Sequence, residues 1–246
     1  MIVFDEARLP YVSPKGARLR FTIRLATSDH NTVFSAANEN EYGLRERNFS
    51  GVAFDIGAHI GAVAVPLAVD NPELSVVAVE PVPDNARLLW MNARDNGVGE
   101  RVHIVKGAAG PPGVSTTRLH SMFRGSETAL HHAFIGATEV GNSEIADAWR
   151  LGTDHDIEDV PAFDLTALVE MYGIPSFIKI DCEGAEYGIL TDPVVETVPL
   201  IIGEWHPVPY GGRKTSRRED LADLLPRHSV TFSGPEEGPG GFVAVL

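Results

Sequence analysis

The sequence of 246 residues contains a single cysteine, Cys182, and few basic residues. One cysteine excludes an intramolecular disulfide and a cysteine-rich zinc site. Lys and Arg number 20 against 34 Asp and Glu, so the formal net charge is −14. A general affinity for nucleic acid is not expected, because that affinity depends on cations that neutralise phosphates, and an anionic membrane would repel the chain. Neutral and cationic small molecules remain as expected partners.

Long apolar runs are also missing. No stretch approaches the ~20 apolar residues of a membrane span, and the first residues lack the basic and apolar regions of a signal peptide. These absences predict a cytoplasmic protein without a membrane partner. No internal repeat is present, and the sequence leaves the oligomeric state open, a homodimer included.

Short apolar runs alternate with helix-like stretches from residue 51 onwards. Predicted strands cover residues 51–57, 74–80, 101–109, 175–181 and 198–206, and predicted helices cover 60–69, 81–96, 164–172, 185–190 and 216–225. This alternation predicts an α/β fold with a mostly parallel sheet and right-handed crossovers. Two β-rich runs, 229–232 and 242–246, flank a Gly/Pro turn and predict a terminal hairpin.

Two segments do not follow the alternation. Residues 1–48 are predicted to form an N-terminal extension that packs over the sheet and acts as a lid, and residues 49–246 form the main domain. Residues 110–160 are predicted to be an insertion with a strand near 114–119 and a helix near 144–150. We expect the insertion to be a substrate lid, because loops on a rigid scaffold carry variable recognition.

The run VAFDIGAHIG predicts a ligand-binding turn after the first buried strand. A glycine at this point lets the backbone approach a ligand, and ligands bind at the carboxyl ends of parallel strands. Asp55 and Gly57 face one side of the strand. Gly61 is expected in the first turn of the next helix, where it permits close contact between helix and sheet.

Two cofactor classes compete for this turn. A dinucleotide site, as in a nicotinamide-dependent dehydrogenase, requires a second glycine where this chain has His59. S-adenosylmethionine has no phosphate, and its ammonium and sulfonium groups suit the nearby Asp55. Glu80 ends the second predicted strand, where a carboxylate can accept both ribose hydroxyls. The spacing therefore favours S-adenosylmethionine.

At four stretches the sequence resembles the FkbM-type S-adenosylmethionine-dependent methyltransferases. These are VAFDIGAHIGAVAVPLA, VVAVEPVPDNARLLWMNARDNG, VKGAAG and FIKIDCEGAEYGIL, of which the last is the most specific. The resemblance extends from Gly51 to Trp205, with the insertion matching least. Cys182 stands where an aliphatic residue is usual in the family.

The resemblance implies a class I, Rossmann-like methyltransferase domain over residues 49–246. Such a domain has a mostly parallel seven-stranded sheet, a C-terminal antiparallel hairpin and helices on both faces. The family transfers a methyl group, usually to a hydroxyl of a small molecule or a sugar-bearing natural product. Together with the turn described above, the expected cofactor contacts are Glu41, Asp55, Gly57, His59, Gly61, Glu80, Ala108 and Asp181.

Three residues at the ends of neighbouring strands are the catalytic candidates. Methyl transfer to a hydroxyl requires alignment of the nucleophile and removal of its proton. Asp181 is expected to face the methyl group, while Glu204 and His206 share a face of the next strand. His206 is a candidate general base, or alternatively a hydrogen-bonded structural histidine. Asp181, Glu204 and His206 are also candidate ligands for a divalent metal, which no tight spacing demands and which is not favoured.

Other charged residues have mainly structural interpretations. Lys179 lies within a predicted central strand, so a structural ion pair is favoured over catalysis. Glu183 and Glu186 flank the next predicted helix, where a carboxylate interacts favourably with the helix dipole or contacts substrate. The histidines of the insertion, His131, His132 and His155, are expected to be solvated.

Three functions remain after these arguments. The favoured one is an S-adenosylmethionine-dependent O-methyltransferase that acts on a small molecule, in natural-product biosynthesis. The second is an N-methyltransferase on the same scaffold, since the acidic composition suits a cationic amine. The third is a cofactor-binding module without catalysis.

Overall fold

The computed structural model describes residues 5–121, 133–136, 156–208, 215–235 and 238–246. The predicted helix near 144–150 and the three histidines of the insertion lie outside these residues. The strands are β1 (Glu6–Val12), β2 (Arg18–Arg24), β3 (Gly51–Ile56), β4 (Leu74–Glu80), β5 (Val102–Lys106), β6 (Ala108–Ala109), β7 (Thr116–Ser121), β8 (Ala133–Gly136), β9 (Asp156–Phe163), β10 (Phe177–Ile180), β11 (Leu200–Trp205), β12 (Ser229–Phe232) and β13 (Gly240–Val245). The α-helices are α1 (Asp29–Val33), α2 (Ala64–Asp70), α3 (Pro83–Asp95), α4 (Leu165–Tyr172), α5 (Glu186–Ile189) and α6 (Arg218–Ala222).

Seven strands form the central sheet in the order β12-β13-β11-β10-β3-β4-β5. The five strands from β11 to β5 run parallel, and β13 is antiparallel to both β11 and β12. The predicted α/β class, with its parallel sheet and closing antiparallel hairpin, is confirmed. In this order β3 lies between β4 and β10, so the carboxyl ends of β3, β4, β10 and β11 share one edge.

Helices cover both faces of this sheet because alternate side chains of the buried strands point to opposite sides. On one face Ala53 and Val76 pack with residues of α2 and α3. On the other face Phe54 and Val77 pack with residues of α4, α5 and α6. The two layers fix the sheet from both sides, so its edge is a rigid platform for the site described below.

The N-terminal segment belongs to the same core as α2 and α3. Leu19, Phe21 and Ile23 of β2 are buried in the cluster that contains both helices. Asn92 of α3 accepts a hydrogen bond from the backbone N–H of Thr22 at 2.7 Å. The hairpin of β1 and β2 therefore packs mainly against α3. The prediction placed it over the sheet, and its role as a lid stays a prediction.

The insertion and the residues that flank it form a second sheet that the sequence did not reveal. Its four strands lie in the order β6-β9-β7-β8. The predicted strand near 114–119 corresponds to β7, whereas the predicted strand 101–109 divides into β5 and β6, which belong to different sheets. The carbonyl of Pro161 and the ring of Phe163 crowd Gly107, so a side chain there would collide with β9.

Among the described residues, no helix combines the length and the apolar character needed to cross a membrane.

Candidate active site

A cleft opens at the edge where the parallel strands end. Its volume is about 910 Å³ when the solvent-open space at its mouth is included. The turn after β3, the end of β4 and the segment after β10 form one side, and the N-terminal segment forms the other. Its lining includes Ser28, Thr32, Ala36, Glu41, Tyr42, Gly57, Ala58, His59, Glu80, Asn85, Ala109, Lys179, Asp181 and Glu183.

Gly57 lies at the bottom of this cleft in a conformation that other residues rarely adopt, with φ of +76°. A Cβ atom at this position would lie 2.0 Å from the carbonyl oxygen of Asp181. The close approach that requires glycine is therefore to the neighbouring strand end, while the sequence argument attributed it to a ligand. His59, two residues on, also has a positive φ of 50° and lines the cleft.

Glu80 ends β4 and points its carboxylate into the same turn. Its Oε2 accepts the backbone N–H of His59 at 2.8 Å, and its Oε1 accepts Val82 N–H at 2.9 Å and Asn85 Nδ2 at 3.1 Å. Burial raises the pKa of Glu80, and these three donors act in the opposite direction. A carboxylate has about four acceptor positions. The three bonds therefore leave one position, on Oε2, rather than the pair of free oxygens that the sequence argument assumed.

Three expected cofactor contacts do not line the cleft. Asp55 is fully buried, and its Oδ1 lies 3.4 Å from Lys179 Nζ. Ala108 packs in a small cluster with Val82, and its neighbour Ala109 lines the cleft instead. Gly61 precedes α2 by three residues, so it is not in the first helical turn.

The contact that Gly61 permits also differs from the prediction. A Cβ there would lie 2.9 Å from Val65 Cγ2 and 3.4 Å from Leu89 Cγ. Its φ is +91°. The glycine therefore allows close contact between α2 and α3, whereas the sequence suggested contact between helix and sheet.

Lys179 is the buried cation at the centre of the sheet edge. Besides its ion pair with Asp55, its Nζ donates to the carbonyl oxygen of Gly57 at 2.9 Å and lies 3.8 Å from Asp181 Oδ2. Burial alone would lower the pKa of Lys179, but the two carboxylates raise it above its usual value. The ion-pair interpretation of Lys179 agrees with this geometry. Asp55 is consequently neutralised by the protein and does not face the cleft.

Asp181 follows β10, which lies across β3 from the strand that ends at Glu80, and it lines the cleft. Its Oδ2 accepts a hydrogen bond from the Tyr42 hydroxyl at 3.1 Å. Tyr42 comes from the N-terminal segment, and its burial together with the charge of Asp181 raises its pKa well above the usual value. The phenol therefore remains a donor over the physiological range and fixes the orientation of Asp181. The N-terminal segment thus reaches both ends of the cleft.

Glu204 carries a carboxyl group whose pKa is raised to about 7. Partial burial is the largest cause, followed by the negative charges of Asp181 and Glu41, while His206 acts in the opposite direction. Glu41, which lines the cleft, is hydrogen-bonded to Glu204, and burial raises its pKa as well. Glu204 does not line the cleft itself. It interacts with Glu41 and Asp181, which do line it.

His206 makes the hydrogen bond expected of a structural histidine, whereas its surroundings do not suit a neutral general base. Its Nδ1 is 3.1 Å from Glu186 Oε1, and its Nε2 is 3.4 Å from Glu183 Oε2 and 3.8 Å from Glu204 Oε2. Burial lowers the pKa of the ring, but the hydrogen bond to Glu186 and the surrounding negative charges outweigh burial and raise it to about 9. At neutral pH the imidazole is protonated and has no lone pair for a substrate proton.

Asp181, Glu204 and His206 do come together, with ligand atoms within 4.8 Å of one another. The residue types and the spacing are compatible with a divalent ion. Without an ion, the imidazolium of His206 supplies the positive charge among these carboxylates. The metal site stays a prediction.

Asn85 is a residue of the cleft that the sequence argument missed. It lies in the first turn of α3, is buried and donates to Glu80. The sequence did contain a hint, because Asn85 follows Glu80 by five residues. At this spacing a side chain in the first turn of the helix can reach the acid that ends the strand. The bond of Tyr42 to Asp181 joins residues far apart in the chain, so no local signal in the sequence points to it.

Residues 55–229 match the methyltransferase FkbM domain, which is more than half of the chain. The chain belongs to the FkbM methyltransferase family. This membership supports an S-adenosylmethionine-dependent methyltransferase. The matched residues of the FkbM domain include Gly57, Glu80, Asp181 and Glu204, but leave out the N-terminal segment that closes the cleft. A search of curated proteins gave no match.

Solved structures similar to this FkbM-family chain are remote in sequence. A precorrin-6y C5,15-methyltransferase from Geobacter metallireducens is 12% identical, with 85% of this chain and 86% of that chain covered and a TM-score of 0.46. An O-methyltransferase from Bacillus cereus in complex with S-adenosylhomocysteine is 15% identical, covering 88% and 81%, with a TM-score of 0.40. An RNA methyltransferase from Salinibacter ruber, also in complex with S-adenosylhomocysteine, is 10% identical, covering 79% and 80%, with a TM-score of 0.37.

Proposed function

We propose that this FkbM-family methyltransferase transfers a methyl group from S-adenosylmethionine to a hydroxyl of a small molecule of natural-product or sugar type. One observation carries the proposal: a single cleft joins the turn at Gly57 and Glu80 to the carboxylates Asp181 and Glu41. When bound, the donor supplies an electrophilic methyl group on a sulfonium. The protein has to bind this donor, orient the acceptor and accept a proton.

Donor binding is assigned to the β3 and β4 side of the cleft. The free acceptor position on Glu80 Oε2 suits one ribose hydroxyl, and His59 and Ala58 of the turn line the adjoining space. The second glycine that a pyrophosphate would need is absent, because His59 occupies that position. The residues present therefore suit an adenosyl donor without phosphate.

Proton removal is assigned to the acidic side of the cleft. Asp181 faces the cleft and is held by Tyr42, so it is placed to accept a hydrogen bond from the acceptor hydroxyl. Glu204 beside it has a pKa near 7, which suits a general base at neutral pH. His206 stays charged and stabilises the ionised carboxylates. In this proposal His206 has an electrostatic role, and the carboxylates of Asp181 and Glu204 act in place of a histidine base.

The direct test uses a methyl donor labelled in the methyl group and a panel of hydroxyl and amine acceptors. We expect labelled O-methyl product from the wild type and a loss of turnover of about 100-fold or more in Asp181→Asn. Glu204→Gln should lose the rise in rate near pH 7. Both variants should keep their affinity for S-adenosylhomocysteine, and Glu100→Gln, at an exposed surface acid, should behave as the wild type. Unchanged turnover in Asp181→Asn and Glu204→Gln would remove both residues from the mechanism.

A metal-dependent version of the reaction gives a different result in the same assay. Chelation by EDTA should leave turnover unchanged if the acids work as proposed. Loss of turnover with EDTA and its recovery with Mg²⁺ would instead show that Asp181, Glu204 and His206 hold an ion.

N-methylation of an amine is the second candidate, and a specific observation favours it. Glu41, Asp181 and Glu183 all line the cleft, so its potential attracts a cationic acceptor. The two products differ in the NMR shift of the new methyl group. Binding of S-adenosylhomocysteine with no turnover on either class of acceptor would support the third possibility, a binding module without catalysis.

A further inference from the structure

A buried ion pair lies in the part of the chain that precedes the matched family domain. Arg24 Nη2 is 2.8 Å from Asp29 Oδ1, and Arg24 Nε is 2.9 Å from Asp29 Oδ2. The side chains are 1% and 0% exposed. Burial of such a pair carries a large desolvation cost, so its remaining hydrogen-bonding capacity has to be used. Arg24 donates a further hydrogen bond to Asn85, and Asp29 contacts His59; both of these residues surround Glu80.

Arg24 acts on Glu80 through Asn85. Arg24 Nη2 donates to Asn85 Oδ1 at 2.7 Å, and Asn85 Nδ2 donates to Glu80 Oε1 at 3.1 Å. A guanidinium has donors only, so it fixes which end of the amide faces it. The amide is then obliged to present its own donor to the carboxylate. Without Arg24, the oxygen of this amide would lose its charged donor, and only Glu80 would hold the side chain of Asn85 in place.

Asp29 acts on the other oxygen of Glu80 through His59. Asp29 Oδ1 lies 3.4 Å from His59 Nε2, and the backbone N–H of His59 donates to Glu80 Oε2 at 2.8 Å. His59 has a φ of +50°, a region that a non-glycine residue occupies at a cost. The contact with Asp29 holds the ring of this strained residue in place. The ion pair is thus linked to both oxygens of Glu80.

We propose that Arg24 and Asp29 are positioning residues for the carboxylate that binds the donor's ribose. The inference rests on the proposed function and extends it to the N-terminal segment. Val82 N–H, Asn85 and His59 occupy three acceptor positions of Glu80 and leave one on Oε2 for a hydroxyl. By fixing Asn85 and His59, the ion pair determines where that last position points.

The test compares two ligands so that a loss of ribose recognition is separated from a general loss of affinity. S-adenosylhomocysteine and its 2′,3′-dideoxy analogue are titrated calorimetrically into the wild type, Arg24→Met and Asn85→Ser. Arg8→Gln is the matched control, because Arg8 also ties the hairpin to α3, through Asp95 at 2.9 Å, but at the surface. Thermal unfolding of each protein shows which variants are folded.

We expect the wild type and Arg8→Gln to prefer the natural ribose by about tenfold or more, the effect of a hydrogen bond to a charged group. In Arg24→Met and Asn85→Ser the preference should fall to about twofold or less. If Arg24→Met does not fold, Asn85→Ser decides the question, since it keeps the ion pair but removes the amide through which Arg24 acts on Glu80.

A wild-type preference retained in either folded variant would overturn the positioning role. A wild type that binds both ligands equally would overturn the inference while leaving donor binding intact. A wild type that binds neither ligand would overturn the proposed function and this inference with it.

Discussion

Glu80 and Glu204 show how surroundings give one residue type two roles. Both carboxyl groups lie at the ends of parallel strands, and burial raises the pKa of each. Glu80 has three N–H donors directed at it, so its charge is matched and it serves as a fixed acceptor. Glu204 is surrounded by other acids and titrates near pH 7, which suits proton transfer.

Replacement of Glu80 by alanine should weaken donor binding. Glu80→Ala removes a charged acceptor and leaves the N–H groups of His59 and Val82 without their partner. We expect the affinity for S-adenosylhomocysteine to fall by about 10- to 100-fold, equivalent to about 1.5–3 kcal/mol. Isothermal titration measures the effect, with Glu73→Ala, an exposed acid before the same strand, as the control. Wild-type affinity in Glu80→Ala would remove the ribose assignment.

A side chain at Gly57 should destabilise the protein because of a steric clash. Gly51, which has the same φ but open space around it, serves as the comparison. Gly51 and Gly57 share a φ of +76°, but a Cβ on Gly51 meets nothing within 4 Å, whereas one on Gly57 would lie 2.0 Å from a backbone oxygen. Gly51→Ala should cost about 1–2 kcal/mol from backbone strain alone. Gly57→Ala should cost a further 1–3 kcal/mol or more, because β3 and β10 have to separate. Denaturant unfolding of both variants gives the difference, and equal losses would contradict the clash.

At the scale of elements, the carboxyl ends of β3, β4 and β10 form the site together with the N-terminal segment that lies across them. The parallel register places the ends of β3, β4 and β10 side by side, and the turns that follow supply Gly57, the residues after Glu80, and Asp181. The segment from α1 to Tyr42 then lies across these turns. The sequence predicted the strand ends well, because buried parallel strands are continuous apolar runs. It predicted that residues 1–48 form a lid and that Glu41 contacts the cofactor. It did not predict the bond between Tyr42 and Asp181, which joins residues 139 positions apart.

The raised pKa of His206 should make the folded protein less stable at alkaline pH. The pKa of His206 is raised from 6.5 to about 9 in the folded protein. Its contribution to stability is therefore complete below pH 6.5 and is lost as the pH rises through 9. The raised pKa of Glu204, from 4.5 to about 7, acts in the same direction at lower pH. We expect the free energy of unfolding to fall by about 2–3 kcal/mol between pH 6.5 and 9.5 because of His206.

Denaturant unfolding at several pH values measures this dependence. His206→Gln is the comparison, since a neutral side chain of similar reach should remove the decline between pH 7 and 9.5. The same decline in His206→Gln as in the wild type would show that other groups cause it.

For the whole molecule, sequence periodicity predicted the central α/β layers but not the second sheet or the charge of His206. The mostly parallel sheet, its alternation with helices and the closing hairpin follow from hydrophobic patterns that are local in the chain. The seven strands and the helices on both faces were implied by the family resemblance. The second sheet did not follow, because its strands have weak periodicity and β6 is only two residues long. The charged state of His206 was also beyond the sequence, since it depends on Glu183 and Glu186, which approach from another element.

Removal of residues 1–48 should prevent cooperative folding. The N-terminal hairpin contributes Leu19, Phe21 and Ile23 to the core that holds α2 and α3, so its loss exposes a large apolar surface. We expect a fragment that starts at residue 49 to lose its near-ultraviolet circular dichroism and its sharp thermal transition. A fragment with a sharp transition and wild-type affinity for S-adenosylhomocysteine would show that the segment is a dispensable lid.

The single open acceptor position on Glu80 has a consequence for inhibitor chemistry. If Glu80 binds the ribose as proposed, a competitive nucleoside directed at this cleft needs one well-placed hydroxyl opposite Oε2, and a second would have to displace a protein N–H that is already bound. Carbocyclic or mono-deoxy sugars that keep the correct hydroxyl are therefore reasonable starting scaffolds. Chemical effort is better directed at the acidic end of the cleft, where a cationic substituent would meet Glu41 and Asp181.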